Sequence, residues 1–385
     1  MKFVRLATLG LLVILLFTPF VFGHSMNGGI GLNLVRSAWT LKPGYLTLAT
    51  KTRFFGKVAS PISGVAVTFW DVQGAFSLTY GFNEHFEFAL TPIMYQDNHK
   101  GDKGYNLPDD IFLGVKAGSY KIKNSPFVYG GLIEARLPTA KYHNISFEPY
   151  SAGNLSVSIR GLLTYSKDPL YPEDNVNAHL NLGYINHNDV GKKLQDPKID
   201  NYSVINMTQE FVYGLGVNFP TIDFDFFVEL FGSTFIRKPP EQTAFSRENF
   251  VYFTPGLSFR ANRWLSLNVA ADLRVSSDND ETTYDYPGGG PVAPDMANYP
   301  AWRINLGAKI VLLPTSVYKI SEKDILIKKA ESRRELFEQI IREQRETESA
   351  EEELERIKAE RRKAERELER LRRILEGETK SKKEE

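Results

Sequence analysis

Between residues 44 and 313 the charged residues of this chain keep an even spacing, and that spacing limits the chemistry they can do. Lys51 and Arg53 are two apart. Asp223 and Asp225 are two apart, with Glu229 four further on, and Arg303 and Lys309 are six apart. Even steps put side chains on one face of an extended chain. That face collects Lys51, Arg53, Arg260, Arg274, Arg303 and Lys309 near the two ends of the segment, and Glu210, Asp223, Asp225 and Glu229 in a block between them. Asp71, Glu87, Asp110, Lys116, Glu134, Arg136, Arg160 and Asp272 share the parity. A basic wall facing an acidic wall across water would orient small polar solutes. The same charges paired across a narrow interior would instead hold it rigid, and the spacing alone allows both.

Bond-making chemistry finds no support. The six histidines, His24, His85, His99, His143, His179 and His187, form no H-E-x-x-H or comparable metal spacing, and no G-x-S-x-G elbow occurs. The absence of cysteine excludes thiol catalysis and thiolate metal sites. We therefore expect no enzyme, no cofactor and no metal. With 47 basic and 47 acidic residues, the chain lacks the basic excess that a nucleic-acid partner would want. Residues 278–300 mix Asp278, Asp280, Glu281, Asp285 and Asp295 with Tyr284, Tyr286 and Tyr299. No calcium-loop spacing is present, so the segment reads as a solvated surface loop ahead of a cation or glycan site.

The elements that must carry the charged face are strands. In "WLSLNVAADLRVSSD", from Trp264, Leu265, Leu267, Val269, Ala271, Leu273 and Val275 occupy one parity, and Ser266, Asn268, Asp272 and Arg274 the other. That is a strict period of two. Such segments recur near 44–55, 64–82, 85–95, 109–120, 126–137, 154–166, 174–187, 201–218, 221–236, 249–261, 264–277 and 301–313. Most have ten or more residues, whereas strands of soluble domains usually have about five or six and a tilted bilayer-crossing strand needs about 9–11. Short connections such as "NE" and "NR" alternate with long polar ones such as "GKVASPIS", "NHKGDKGYNLP" and "AKYHNISFEPYSAG". That wiring predicts an all-β transmembrane antiparallel up-and-down barrel of about 12 strands, with lipid as its partner. The competing fold is a soluble sandwich, which would bury its apolar face. Phe54, Tyr80, Tyr184, Tyr213 and Trp302 lie toward strand ends, as interfacial aromatics would.

The ends of the chain complete the plan. Residues 1–23 carry a basic start, an apolar run from Leu9 to Phe17, and Val21 and Gly23 at the −3 and −1 positions of a secretory cleavage site. Residues 24–43 then form a periplasmic or luminal segment, 44–313 the barrel and 314–321 a linker. An even strand count puts both barrel ends on the periplasmic side. A charged helix is expected over 322–377, opening on a capping box at Ser321 and stopped by Gly377, with 378–385 disordered. Ala350, Leu354, Ile357, Ala364, Leu368, Leu371 and Leu375 step by four and three, interrupted by Arg361, which is a heptad seam. Pairs such as Glu352 with Arg356 would also support a solitary helix. Self-association through the seam, docking to a periplasmic partner and a lone helix stay open.

Beyond these patterns, "GGIGLNLVRSAWTLKPG" carries a family likeness through Gly31, Leu32, Ser37, Ala38, Leu41 and Gly44, reinforced by "LTYGFNEHFEFALTPIMY" and "LPDDIFLGVKAG". Over roughly residues 28–313 the chain resembles predicted bacterial outer-membrane barrel proteins of the OmpA-type and phenol-degradation-pathway (MetA-like) groups. The peptidoglycan-binding domain of OmpA-type proteins has no counterpart after residue 320. The resemblance implies an outer-membrane location and says little about solute. The expected function is a porin-like passive channel for small polar solutes with a periplasmic helical extension; the alternative is a structural anchor whose tail tethers or oligomerises.

Overall fold

The computed structural model describes residues 28–62, 65–98, 105–123, 125–145, 147–169, 171–194, 203–221, 223–240, 245–277, 281, 299–315 and 322–381, with side chains except at 59–67, 105, 322–329, 336 and 370–381. The segment read as an export signal, its expected cleavage site and most of the 278–300 stretch lie outside these residues.

Twelve antiparallel strands form one closed sheet. They are β1 (Leu46–Ile62), β2 (Val65–Gly81), β3 (Phe86–Asn98), β4 (Ile111–Lys121), β5 (Phe127–Leu137), β6 (Ser156–Ser166), β7 (Asn177–Asn186), β8 (Gln209–Pro220), β9 (Phe224–Arg237), β10 (Phe250–Asn262), β11 (Leu265–Arg274) and β12 (Trp302–Leu313). Each pairs with the next, and β1 pairs with both β2 and β12, for example Leu48 with Leu78 and with Ile310. The ring therefore leaves no unpaired sheet edge. A two-residue strand, Tyr105–Asn106, adds to the far end of β3.

Two boundaries differ from the expectation. The stretch 56–63 is not a long loop: β1 and β2 are 17 residues each and pair as far as Ile62 with Val65. Val58 and Thr68 continue the ladder beyond the reach of the apolar alternation. Strand β8 starts at Gln209 rather than near 201, because the preceding chain bonds elsewhere. Val204 donates to the Lys192 carbonyl at 2.9 Å, and His187 donates to that of Thr208 at 3.2 Å.

The two faces of the sheet have opposite chemistry. Ile133, Ile159, Leu182, Leu215, Val269 and Leu306 point outward and are exposed. On the inward face Arg53, Asp71, Glu87, Lys116, Glu134, Glu210, Asp225, Glu229, Arg260, Asp272, Arg303 and Lys309 are buried. This is the reverse of a soluble domain. A sandwich would hide its apolar face, and an apolar belt on so many strands far exceeds the patches that soluble monomers expose.

Charge alone does not fill the interior. Residues 28–42 thread into it, so the N-terminal segment is luminal over this range. Ala38 is wholly buried against Val128, Leu132 and Leu162, with Trp39 packed beside it, and Leu32 packs on Phe227 and Ala270. The backbone of this plug joins no strand ladder, so wall side chains satisfy much of it. Glu229 accepts from the amides of Leu34 (3.0 Å) and Val35 (2.8 Å), Thr164 from Ala38 (2.9 Å) and Glu87 from Leu41 (2.7 Å). Glycine on the wall makes room: a Cβ on Gly118 would overlap the Ala38 carbonyl.

By itself, the C-terminal unit is one helix, α1 (Glu322–Ser381). It runs through Gly377, where the sequence suggested a stop. A single glycine inside a helix costs only about 1 kcal/mol against alanine, and Glu and Lys flank it.

Candidate functional site

The barrel interior holds a cavity of about 240 Å³. Its floor is the plug at Leu34, Val35 and Arg36. Its other boundary includes Glu148, Pro149 and Tyr150 from the β5–β6 loop, which folds inward. Several contacts hold that loop inside. Phe147 packs on Phe55 and Phe69, and Tyr150 donates to Asp189 at 2.7 Å. Ser246 donates to the Glu148 carbonyl at 2.5 Å, and Arg53 pairs with the Glu148 carboxylate. Burial pushes the Glu148 carboxyl up, but the Arg53 charge and hydrogen bond outweigh it and hold the group below its ordinary range.

The wall charges are mostly answered in place. Arg53 lies between Glu148 and Asp71 (3.6 Å to the latter), and Arg303 reaches Asp272 at 3.2 Å while lying 4.6 Å over the Tyr252 ring. Arg260 pairs with Asp225, Lys116 with Glu87 at 2.7 Å, Arg136 with Asp110 at 2.5 Å and His187 with Glu210 at 2.8 Å. A buried charge without a partner is very costly, so a polar interior this buried has to be a network of pairs. The acidic and basic blocks of the sequence do not form separate walls. Arg260 on β10 neutralises Asp225 on the adjacent β9.

Of the residues singled out from sequence, Arg53, Glu210 and Arg303 line the cavity. Lys51 and Glu229 hold the plug: the Lys51 ammonium binds the Asn33 side chain and carbonyl, and Glu229 takes the Leu34 and Val35 amides. Asp225, Arg260 and Lys309 are buried on the inward face outside the cavity lining. Arg274 is half-buried and donates to the Tyr299 carbonyl at 2.9 Å. Asp223 is not on a strand wall; it sits in the β8–β9 turn, where its carbonyl accepts from the Arg260 amide. On α1, Ala350, Leu354, Ile357, Ala364 and Leu368 are exposed, and the side chains of Leu371 and Leu375 lie outside the described residues.

Two functional residues escaped the sequence reading. Arg36 is clamped through its backbone by Asn181, at 2.6 and 2.8 Å, and its guanidinium reaches Glu134 at 3.0 Å. Burial lowers it to about 10, against the pull of Glu134. One signal was present: Arg36 is the single charge between Gly28 and Leu41. Glu148 lies in a loop without periodicity, and nothing in its neighbourhood marks it. Every motif residue from Gly31 to Leu41 proves to be part of the plug. Gly31 lets the chain turn, since a Cβ there would come within 2.5 Å of the Val35 carbonyl.

No family model matches the sequence, and no curated protein matches it. Among solved structures the chain is similar to an outer-membrane channel from Pseudomonas putida F1, with a TM-score of 0.47 and 12% identity over 71% of this chain and 98% of that one. It is also similar to the NanC porin (0.41, 9%, 69% and 98%) and to a FadL homologue from Pseudomonas aeruginosa (0.31, 9%, 69% and 90%). The fold itself is read from the strand pairing.

Proposed function

We propose that this chain is an outer-membrane barrel that passes small polar solutes through its lumen, with its own N-terminal segment as the gate. The observation that carries the reading is the charged cavity between the plug and the inward β5–β6 loop, inside a ring whose outer face is apolar. Lipid satisfies that outer face, and a closed ring is one of the two structures whose backbone can cross it. The export signal and the likeness of the plug motif to phenol-degradation-pathway barrels agree with an outer-membrane location. The even strand count brings the start of β1 and the end of β12 to one rim, which is in keeping with a periplasmic role for the C-terminal extension.

Planar-bilayer recording tests the gate. Intact protein should give small or rare conductance steps. Glu229→Ala, which frees the Leu34 and Val35 amides, should give larger or more frequent ones. Arg303→Ala should move ion selectivity toward cations. Silence from both the parent and the Glu229→Ala barrel, each folded, would reject conduction.

One observation favours the tethering role alongside it. Leu354, Ile357 and Leu368 of α1 are exposed at heptad spacing. A second copy would bury them as a coiled coil, with Ala350, Ala364, Leu371 and Leu375 on the same seam. Cysteine placed at Leu368 should then form an intermolecular disulfide; no intermolecular product would leave α1 a solitary helix.

A further inference from the structure

Ser156, His187 and Glu210 form a hydrogen-bonded chain across three neighbouring strands. Ser156 opens β6, His187 directly follows β7, and Glu210 is the second residue of β8. The His187 Nε2 lies 2.8 Å from a Glu210 carboxylate oxygen, and its Nδ1 lies 3.4 Å from the Ser156 hydroxyl. A carboxylate only accepts, so in the neutral ring Nε2 carries the proton and Nδ1 is the acceptor for Ser156. Ser233 donates to the other Glu210 oxygen and holds the carboxylate in place. The second acceptor near the Ser156 hydroxyl, the Asn154 carbonyl, is 3.5 Å away. Ser156, His187 and Glu210 are all buried, and all line the cavity.

A hydroxyl is a weak nucleophile until a base takes its proton, and the base works best when a third group orients it. The 3.4 Å contact is of the loose kind that tightens once substrate is held. Arg136 stands opposite Ser156 in the β5–β6 register and lines the same cavity. Its positive charge suits the oxyanion of a tetrahedral intermediate. Ile185, Val212 and Phe231, two residues further into the barrel than His187, Glu210 and Ser233, make an apolar wall beside the chain. An apolar cavity of about 150 Å³ accepts benzene. The 240 Å³ here has room for a body of that size and an acyl group.

We propose that Ser156, His187 and Glu210 form a hydrolytic site for a small uncharged carboxylic ester. The Ser156 oxygen bonds to the acyl carbon, and its proton passes to His187 Nδ1 while Nε2–H stays on Glu210. The ester C–O bond then breaks, and the leaving alkoxide takes the proton from Nδ1. Water, deprotonated by the same nitrogen, cleaves the acyl group from Ser156; a carboxylic acid leaves and the proton returns to the serine. Ser156 and His187 are the catalytic residues, and Glu210 is a positioning residue. No G-x-S-x-G elbow marks the site, because strand pairing brings together residues 31 and 23 positions apart.

The site needs the ester and water to enter the cavity, and its test does not depend on conduction. Full-length protein in detergent is treated with methanesulfonyl fluoride, which sulfonylates an activated serine with loss of fluoride, and the label is located by peptide mass mapping. Ser156 should react about 10²–10⁴-fold faster than the hydroxyl of N-acetylserine amide, the usual worth of a general base. Its rate should rise with pH as His187 loses its proton. Glu210→Gln removes the charge that favours the imidazolium, so the rise should move to lower pH; a merely structural bond would leave the midpoint where it is. The parent protein should also hydrolyse phenyl acetate above the buffer rate, and Ser156→Ala, with heat-modifiable migration retained, should not. A Ser156 no more reactive than the model serine, or equal hydrolysis by the parent and Ser156→Ala, would overturn the site. An inert Ser156 in a barrel that conducts would reject hydrolysis alone and leave the channel reading standing.

Discussion

At the scale of residues, this interior is governed by the cost of leaving a charge alone. Arg53 answers Asp71 and Glu148 together, so removing it strands two buried acids. Arg53→Ala should cost about 3–5 kcal/mol of barrel stability, the range for breaking a buried pair. Urea unfolding from detergent checks it, and Arg53→Met with Glu148→Gln should recover much of the loss. Asp109, buried in the loop before β4, gives a pH dependence. Burial pushes its carboxyl up to about 7, with Asp110 and Glu148 adding to the effect and Arg136 opposing it. Between about pH 4 and that value the folded protein holds a proton that the unfolded chain has released. Stability therefore falls as pH rises through that window and levels above it. Asp109→Asn should remove this part of the slope in unfolding temperatures measured from pH 4.5 to 7.5.

At the scale of elements, the plug and the wall strands are fitted to each other by backbone approach. Gly118 on β4 faces the Ala38 carbonyl, and the Ser119 amide donates to that same carbonyl at 2.8 Å. Gly118→Ala leaves the β4 ladder intact and closes the space that Ala38 occupies. The expected outcome is a folded barrel with a loosened N-terminal segment. Protease cleavage within residues 28–42 should become several-fold faster while heat-modifiable migration is unchanged, and unaltered cleavage would show that the wall yields instead. Helix α1 obeys a different rule. Its exposed face carries pairs such as Arg361 with Glu365 at 2.9 Å and Arg334 with Glu338 at 2.9 Å. Exposed pairs of this spacing are screened by water and contribute little singly, so they support the helix only collectively.

At the scale of the whole molecule, the barrel is an inside-out arrangement whose outer belt needs lipid. Ile133 lies mid-strand on β5 and is 56% exposed. Arginine there should destabilise the membrane-inserted state by about 2–4 kcal/mol, as charges near the bilayer midplane do. Lysine in place of luminal Ser158 should leave insertion intact. The ratio of heat-modifiable to fully unfolded protein after folding into vesicles reads both.

What the sequence determined by itself was the ring: the period of two, strand lengths suited to a bilayer, and the alternation of short turns and long loops are local properties, and closure follows once no edge can be left unpaired. It also placed Arg53, Glu210 and Arg303 on the inward face, because parity alone fixes the face. Which charge meets which was decided only by the tertiary structure. Arg260 finds Asp225 on the next strand, but Arg53 finds Glu148 from a loop 95 residues away, and Lys51 finds the plug. The plug motif was legible as a likeness and not as a plug, since its backbone bonds go to side chains scattered over the wall, such as Glu229, Thr164 and Glu87. Periodicity reports which face a residue takes. Pairing across a lumen depends on the radius of the ring and on what threads into it, and both exist only once the chain has closed on itself.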